Sequence, residues 1–177
     1  MAEAMTTENG KRRQIRLAKR ADLRDLAVFL DDCWRSAYKD ILDPHYLSSL
    51  SSNERYEKLL SRYEESPRDF LLCQAEDGGI AGAVIFGEST TKSYPNDGGI
   101  SALYVRADLI GQGYGRALIG RAQAALRARG YRNFVLDVFA DNTTAVGFYQ
   151  AHGYIGVGTE NVMGDHLPTC LIMRKEG

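Results

Sequence analysis

Three glycines at alternate positions, Gly111, Gly113 and Gly115, lie between an apolar run, Ile100 to Val105, and a helical pattern. In that pattern Leu118, Ala122, Ala125 and Leu126 recur at steps of three and four, which marks one buried helix face. A strand, a glycine turn and a helix start together make an anion site. The first amides of a helix lack intrahelical partners, the macrodipole adds partial positive charge there, and glycines let a phosphate approach the backbone. The segment Gly111 to Arg116 therefore predicts a phosphate-bearing cofactor. Nucleotide loops do not fit its spacing. A dinucleotide fingerprint counted from Gly111 meets Arg116 where it needs its third glycine, and counted from Gly113 it meets Leu118. No Gly-Lys-Ser or Gly-Lys-Thr triplet occurs in the chain. A connecting turn with no ligand is the plain alternative.

A second stretch also bears chemistry. Val135 to Asn142 is an apolar strand ending on a polar pair, and Thr143 to His152 follows as a short helix capped by Asn142 and stopped by Gly153. That helix carries Phe148-Tyr149, a phenol next to a second ring. Packing with a satisfied hydroxyl is the structural alternative to a chemical role for this pair.

Together the two stretches resemble motifs A and B of the GNAT superfamily of acyl-CoA-dependent N-acetyltransferases. Ile110-Gly111-Gln112-Gly113-Tyr114-Gly115, after the strand Leu103-Tyr104-Val105, follows motif A, with Ile110 standing where the family usually has Arg or Gln. Asn142, Ala145, Phe148-Tyr149 and Gly153-Tyr154 follow motif B in order, and the resemblance runs from Ile15 to Arg174. It implies acetyl-CoA as donor, with no metal. It places the cofactor on Val105, Gly111, Gln112, Gly113, Tyr114, Gly115, Arg116, Asn142 and Tyr149. By the same resemblance Tyr149 is the acid for the departing thiolate, and a backbone amide near Val105 receives the carbonyl oxygen.

Amine acetylation needs an amine freed of its proton, a donor for the carbonyl oxygen and an acid for the thiolate. Many relatives carry a Glu at the position of Gly99, so no base is assigned, with Asp137 and Glu88 as candidates acting through water. Trp34 and Tyr38 lie four apart on one helix face and resemble a pattern common in bacterial members. They are the expected acceptor-pocket residues, and Ser101 and Phe139 are weaker candidates for the cleft wall. His45, His152 and His166 are isolated and predict neither a metal site nor a nucleophilic dyad.

These groups need a scaffold, and the pattern supplies an α/β one. Residues 1–12 are polar and aperiodic and predict a disordered tail, followed by a single domain over 13–177. Strand Gln14 to Ala18 precedes a helix from Asp22 to about Tyr38, an interruption at Asp43-Pro44, and a helix opened by the capping box Ser51 to Glu54. A hairpin follows across Asp77-Gly78-Gly79, then a polar loop, Ser89 to Gly99, long enough to be mobile. The glycine loop and its helix join two parallel strands, 100–105 and 133–139, and Ile155 to Glu160 with Thr169 to Met173 form a final antiparallel pair. The GNAT-like fold so implied has a central mixed β-sheet flanked by helices, with those parallel strands splayed around the pantetheine arm.

Composition excludes several classes. A net charge of −1 over 177 residues leaves no electrostatic footprint for nucleic acid or a membrane surface. No apolar run reaches the length of a membrane span, and the polar start predicts no secretion signal. Cys33, Cys73 and Cys170 are odd in number and in apolar surroundings, as expected of reduced core thiols in a cytoplasmic protein. The expected partner is a small-molecule or peptide amine, with a homodimer left open. Two alternatives stand beside amine acetylation: a non-catalytic acyl-CoA-binding module, and an acyltransferase with another acyl donor or a hydroxyl acceptor.

Overall fold

The computed structural model describes residues 4–8, 11–161 and 167–177. Eight strands form one sheet in the order β1-β2-β3-β4-β5-β6-β8-β7. They are β1 (Ala4–Glu8), β2 (Lys11–Leu17), β3 (Phe70–Gln74), β4 (Ile80–Glu88), β5 (Gly98–Val105), β6 (Asn133–Phe139), β7 (Ile155–Glu160) and β8 (Cys170–Glu176). Helices α1 (Leu23–Ala37), α2 (Pro44–Ser49), α3 (Ser52–Glu65), α4 (Tyr114–Ala128) and α5 (Thr143–Ala151) complete the chain. Among the described residues only β5 and β6 pair in parallel. Among the described residues no helix is long and apolar enough to cross a membrane.

Local chemistry explains most boundaries. Asp43 accepts from the amides of His45 and Tyr46 and so caps α2, whose first residue is Pro44. Ser51 accepts from Glu54 N and opens α3. Asn142 Oδ1 accepts from Ala145 N at 3.1 Å and opens α5. Gly153, at φ 83°, lets the chain leave α5 while Tyr154 N closes back on Tyr149 O at 3.0 Å. The hairpin turn bonds Asp77 Oδ1 to Gly79 N at 2.9 Å.

The sheet is covered on both faces, so its central strands are apolar on both. Val84, Phe86, Ile100, Leu136 and Val138 pack with Leu118, Ala122 and Leu126 of α4. Ala83, Ile85, Phe70 and Leu72 pack on the other face with Leu23, Leu26, Leu30 and Leu59 of α1 and α3. A smaller cluster, Trp34, Tyr38, Leu42, Leu47, Phe139 and Cys170, closes the same face beside the end of β6. Each of the larger aliphatic side chains contributes about 2 kcal/mol on burial. A buried carboxylate joins α1 to α3: Asp31 is 0% exposed and accepts from Arg55 Nε and, at 2.7 Å, from Ser52 Oγ.

One departure from expectation lies at the amino end. The polar segment expected to be disordered includes β1, paired with β2 from Ala4↔Ile15 to Glu8↔Lys11. Backbone bonding to the open edge of β2 asks for no apolar alternation, which is the signal the sequence lacks. Residues 1–3 and 9–10 of that segment, and His166, fall outside the described residues.

The feature that positions the site is where β5 and β6 part. They are paired only at Gly98↔Phe134, Gly99↔Val135 and Ile100↔Leu136. Beyond that, β5 stays with β4 as far as Val105↔Gly82, and β6 stays with β8 as far as Phe139↔Cys170. The pairing of β4 with β5 skips Ser101, since Ile85 faces Ala102 and Phe86 faces Ile100. Such a bulge bends its strand and raises the local twist. It falls at the residue where β5 leaves β6, so it steers the rest of β5 away.

Candidate active site

The gap between the diverging strands is the floor of a cleft of about 740 Å³. It runs from Ala107 to Arg116 at one end to Asp137, Phe139, Tyr149 and Cys170 at the other.

The first end is made of backbone. Gly111 and Gly113 have φ of 79° and 85°, a left-handed conformation that glycine adopts without penalty, and Gly113 is the N-cap of α4. Ala117 N makes the first helical bond, to Gly113 O at 3.1 Å. Tyr114, Gly115 and Arg116 form the first turn of α4, ahead of that bond, and these three residues line the cleft. Gly115 is needed for a different reason: a Cβ there would sit 3.3 Å from the Phe148 ring. Arg106 is on the rim, held by Asp77 at 2.7 Å and Asp108 at 2.8 Å.

Side chains make the other end. Tyr38 of α1 and Tyr104 of β5 share a hydroxyl–hydroxyl bond of 2.9 Å. Tyr38 stands edge-on to Phe139 and to Trp34, with both centroid distances 5.0 Å. Tyr149 packs against Phe148 and Tyr154, and Tyr154 accepts from Gln123 Nε2 at 3.0 Å. Burial, with the nearby Tyr38, Tyr154 and Asp137, holds the Tyr149 phenol far above its ordinary pKa, so it keeps its proton at neutral pH. Burial first, then Glu160, raises the pKa of Asp137, a half-buried carboxylate on β6. Cys33 and Cys170 also line the cleft, and burial pushes their thiols up to about 12 and about 11.

This geometry has relatives. The model of the acetyltransferase (GNAT) family matches residues 32–154. The chain belongs to the GNAT acetyltransferase family. It is similar to YuaI of Bacillus subtilis strain 168, an uncharacterised N-acetyltransferase, at 31% identity over 147 residues, 83% of each chain. Among solved structures, the PaiA N-acetyltransferase of Thermoplasma acidophilum in complex with coenzyme A superposes with a TM-score of 0.77. It is 23% identical, and the match covers 93% of this chain and 99% of that one. A ribosomal-protein-alanine N-acetyltransferase of Brucella melitensis gives 0.71 at 21% identity, over 92% and 99%. At these identities the two structures speak for the fold.

Within this GNAT frame the residues singled out from sequence divide. Val105, Gly111, Gly113, Tyr114, Gly115, Arg116, Asn142, Tyr149 and Tyr38 all line the cleft, as do Ser101 and Phe139. Gln112 and Trp34 are not on its wall. Gln112 turns back to donate to Asp108 O at 3.2 Å. Trp34 is 8% exposed and packed behind Tyr38, with the Arg55 guanidinium 5.1 Å over its ring, so it supports the wall without forming it. The loop before β5, expected to be mobile, is tied down by Asp97 to Arg174 at 2.6 Å and by Ser93 to Glu160. Two further residues escaped the sequence reading: Tyr104, which lines the cleft, and Arg62, which lies against its lining residue Ser101. Arg62 of α3 donates to Ser101 Oγ at 2.9 Å, and Tyr104 completes the phenol pair. No local motif announces either, because both meet their partners only through the fold.

Proposed function

We propose that this protein transfers the acetyl group of acetyl-CoA to a primary amine by direct attack in a ternary complex. The observation that carries the reading is the continuity of one cleft. The first-turn amides of α4 stand at one end, strand edges without neighbours run between, and a carboxylate and a protonated phenol close the other. Acetyl-CoA supplies an activated acyl carbon and a thiolate leaving group. The residues present fit it: the amides of Tyr114 to Arg116 receive the diphosphate, and β5 beyond Ser101 offers unpaired backbone to an amide-bearing arm.

Asp137 takes a proton from the acceptor's ammonium, directly or through a water. The neutral nitrogen then forms a bond to the thioester carbon. As the carbon–sulfur bond breaks, Tyr149 gives its proton to the sulfur, and the second proton that the nitrogen sheds on becoming an amide passes through solvent to reload the phenol. The raised pKa of Asp137 makes it a better base than an exposed carboxylate, and the raised pKa of Tyr149 keeps the acid loaded. Direct attack is favoured over an acyl-cysteine route because both cleft thiols, at about 12 and about 11, stay protonated and are poor nucleophiles.

The test is release of free thiol from acetyl-CoA across a panel of amines. Thiol release that depends on the amine, with mass spectrometry showing the acetylated amine, is the expected result. CoA binding without turnover on any amine would instead identify a binding module, and equal turnover of alcohols would move the acceptor to a hydroxyl.

A further inference from the structure

Arg62 has no place in the chemistry above, yet from α3 it backs Ser101, a residue of the cleft wall. Its Nη2 donates to Ser101 Oγ at 2.9 Å, and Ser101 is the bulged residue at which β5 leaves β6. Among the described residues no carboxylate lies within ion-pair distance of Arg62. Two carboxylates act on it from further off: Asp69, itself held by Arg129 at 2.5 Å, and the exposed Glu65. Burial holds the pKa of Arg62 below the ordinary guanidinium value, against the opposing pull of Asp69 and Glu65. Ser101 is exposed and uses its oxygen as the acceptor, so its own proton is left to donate.

Asp137 neighbours Ser101 across the parting strands. Ser101 and Asp137 each follow directly on the last β5–β6 pair, Ile100↔Leu136. Their side chains share a face. Leu136 and Val138 turn to α4, so Asp137 turns to the α1 and α3 side, and Ser101 meets α3 there. Neighbouring strands are about 4.8 Å apart where pairing ends, so a molecule seated at the apex meets the Asp137 carboxylate and the Ser101 hydroxyl, with Arg62 behind that hydroxyl.

We propose that the acceptor is an amine carrying a carboxylate close to its nitrogen, of the amino-acid type, with Arg62 and Ser101 binding the carboxylate while Asp137 receives the amine. This inference rests on the acetyl-transfer reading. It makes Arg62 a specificity-determining residue, since a guanidinium fork matches a carboxylate in both charge and shape.

The experiment compares free L-amino acids with their amides and with the corresponding decarboxylated amines, using thiol release from acetyl-CoA. The carboxylate-bearing acceptors should be better by about tenfold or more in kcat/KM, the discrimination expected of a buried charged pair. Arg62→Gln should raise KM for those acceptors by about tenfold with a smaller change in kcat, and leave the amides within about twofold. Arg62→Lys should recover part of the loss. Amides or plain amines that work as well as the amino acids, or an Arg62→Gln variant that slows both classes equally, would overturn the inference and leave acetyl transfer standing. Turnover of neither class would also overturn it. A rise in unfolding midpoint with CoA would then show that the donor site survives, and no rise would remove the acetyl-transfer reading as well.

Discussion

The two ends of the cleft are built from different materials. The end proposed for the phosphates is main chain: two glycines in the left-handed region, a third that lets Phe148 approach, and three helix-start amides within six residues. The end proposed for the acceptor is side chain, gathered from α1, β5, β6, α5 and β8, with Arg62 of α3 behind Ser101. A site made of backbone needs a conformation, which a short run of sequence can encode. One made of side chains needs a fold first. Binding at the first end should therefore fail through geometry and charge in the loop, while chemistry at the second should fail one functional group at a time.

The largest expected effect breaks the first end. Gly113→Asp puts a carboxylate at the N-cap of α4, where like charge opposes the diphosphate, and should weaken CoA binding by about a hundredfold or more in calorimetry. Its left-handed φ costs the folded state only about 1 kcal/mol, because Asp tolerates that region better than most residues. A folded variant with unchanged affinity would remove the loop from the cofactor site.

Asp137→Asn should leave CoA affinity alone and slow turnover by about a hundredfold. Stability should move the other way. The folded pKa of Asp137 is raised, so above its unfolded value the native state binds more protons than the unfolded one, and stability falls as pH climbs toward the folded pKa. Removing the charge should hold or raise the melting temperature at neutral pH. In the parent, kcat/KM should rise with pH along an acid limb placed above the usual carboxylate range, and the variant should lose that limb. An unchanged profile would exclude Asp137 as the base. A smaller effect, about tenfold in kcat, is expected for Tyr149→Phe with near-normal acetyl-CoA affinity. An unaltered rate would reduce Tyr149 to packing.

The same division explains what could be read in advance. Capping residues Ser51 and Asn142, the turn at Asp77 and the glycine loop are local signals, and each opens or closes the element expected of it, whereas Asp43, read as an interruption, caps the short helix α2. Asp31 shows the opposite case. It lies in the apolar stripe of α1 between Ala27 and Trp34, and nothing nearby in the chain reveals that Arg55 and Ser52 of the next long helix will satisfy it. Trp34 was expected on the wall because it shares a helix face with Tyr38, but a helix face is wider than a cleft and one ring stands behind the other. The partnership of Arg62 and Ser101 depends on a bulge created by strand pairing, and a bulge leaves no mark on residue type here.

Thermal unfolding with acetyl-CoA, CoA, NAD and ATP in parallel tests the central claim most directly, because a ligand that binds only the folded state raises the midpoint. The account predicts a rise with acetyl-CoA and CoA and none with NAD or ATP. No rise with either CoA species, at concentrations well above micromolar, would contradict it and leave a GNAT fold without its donor site.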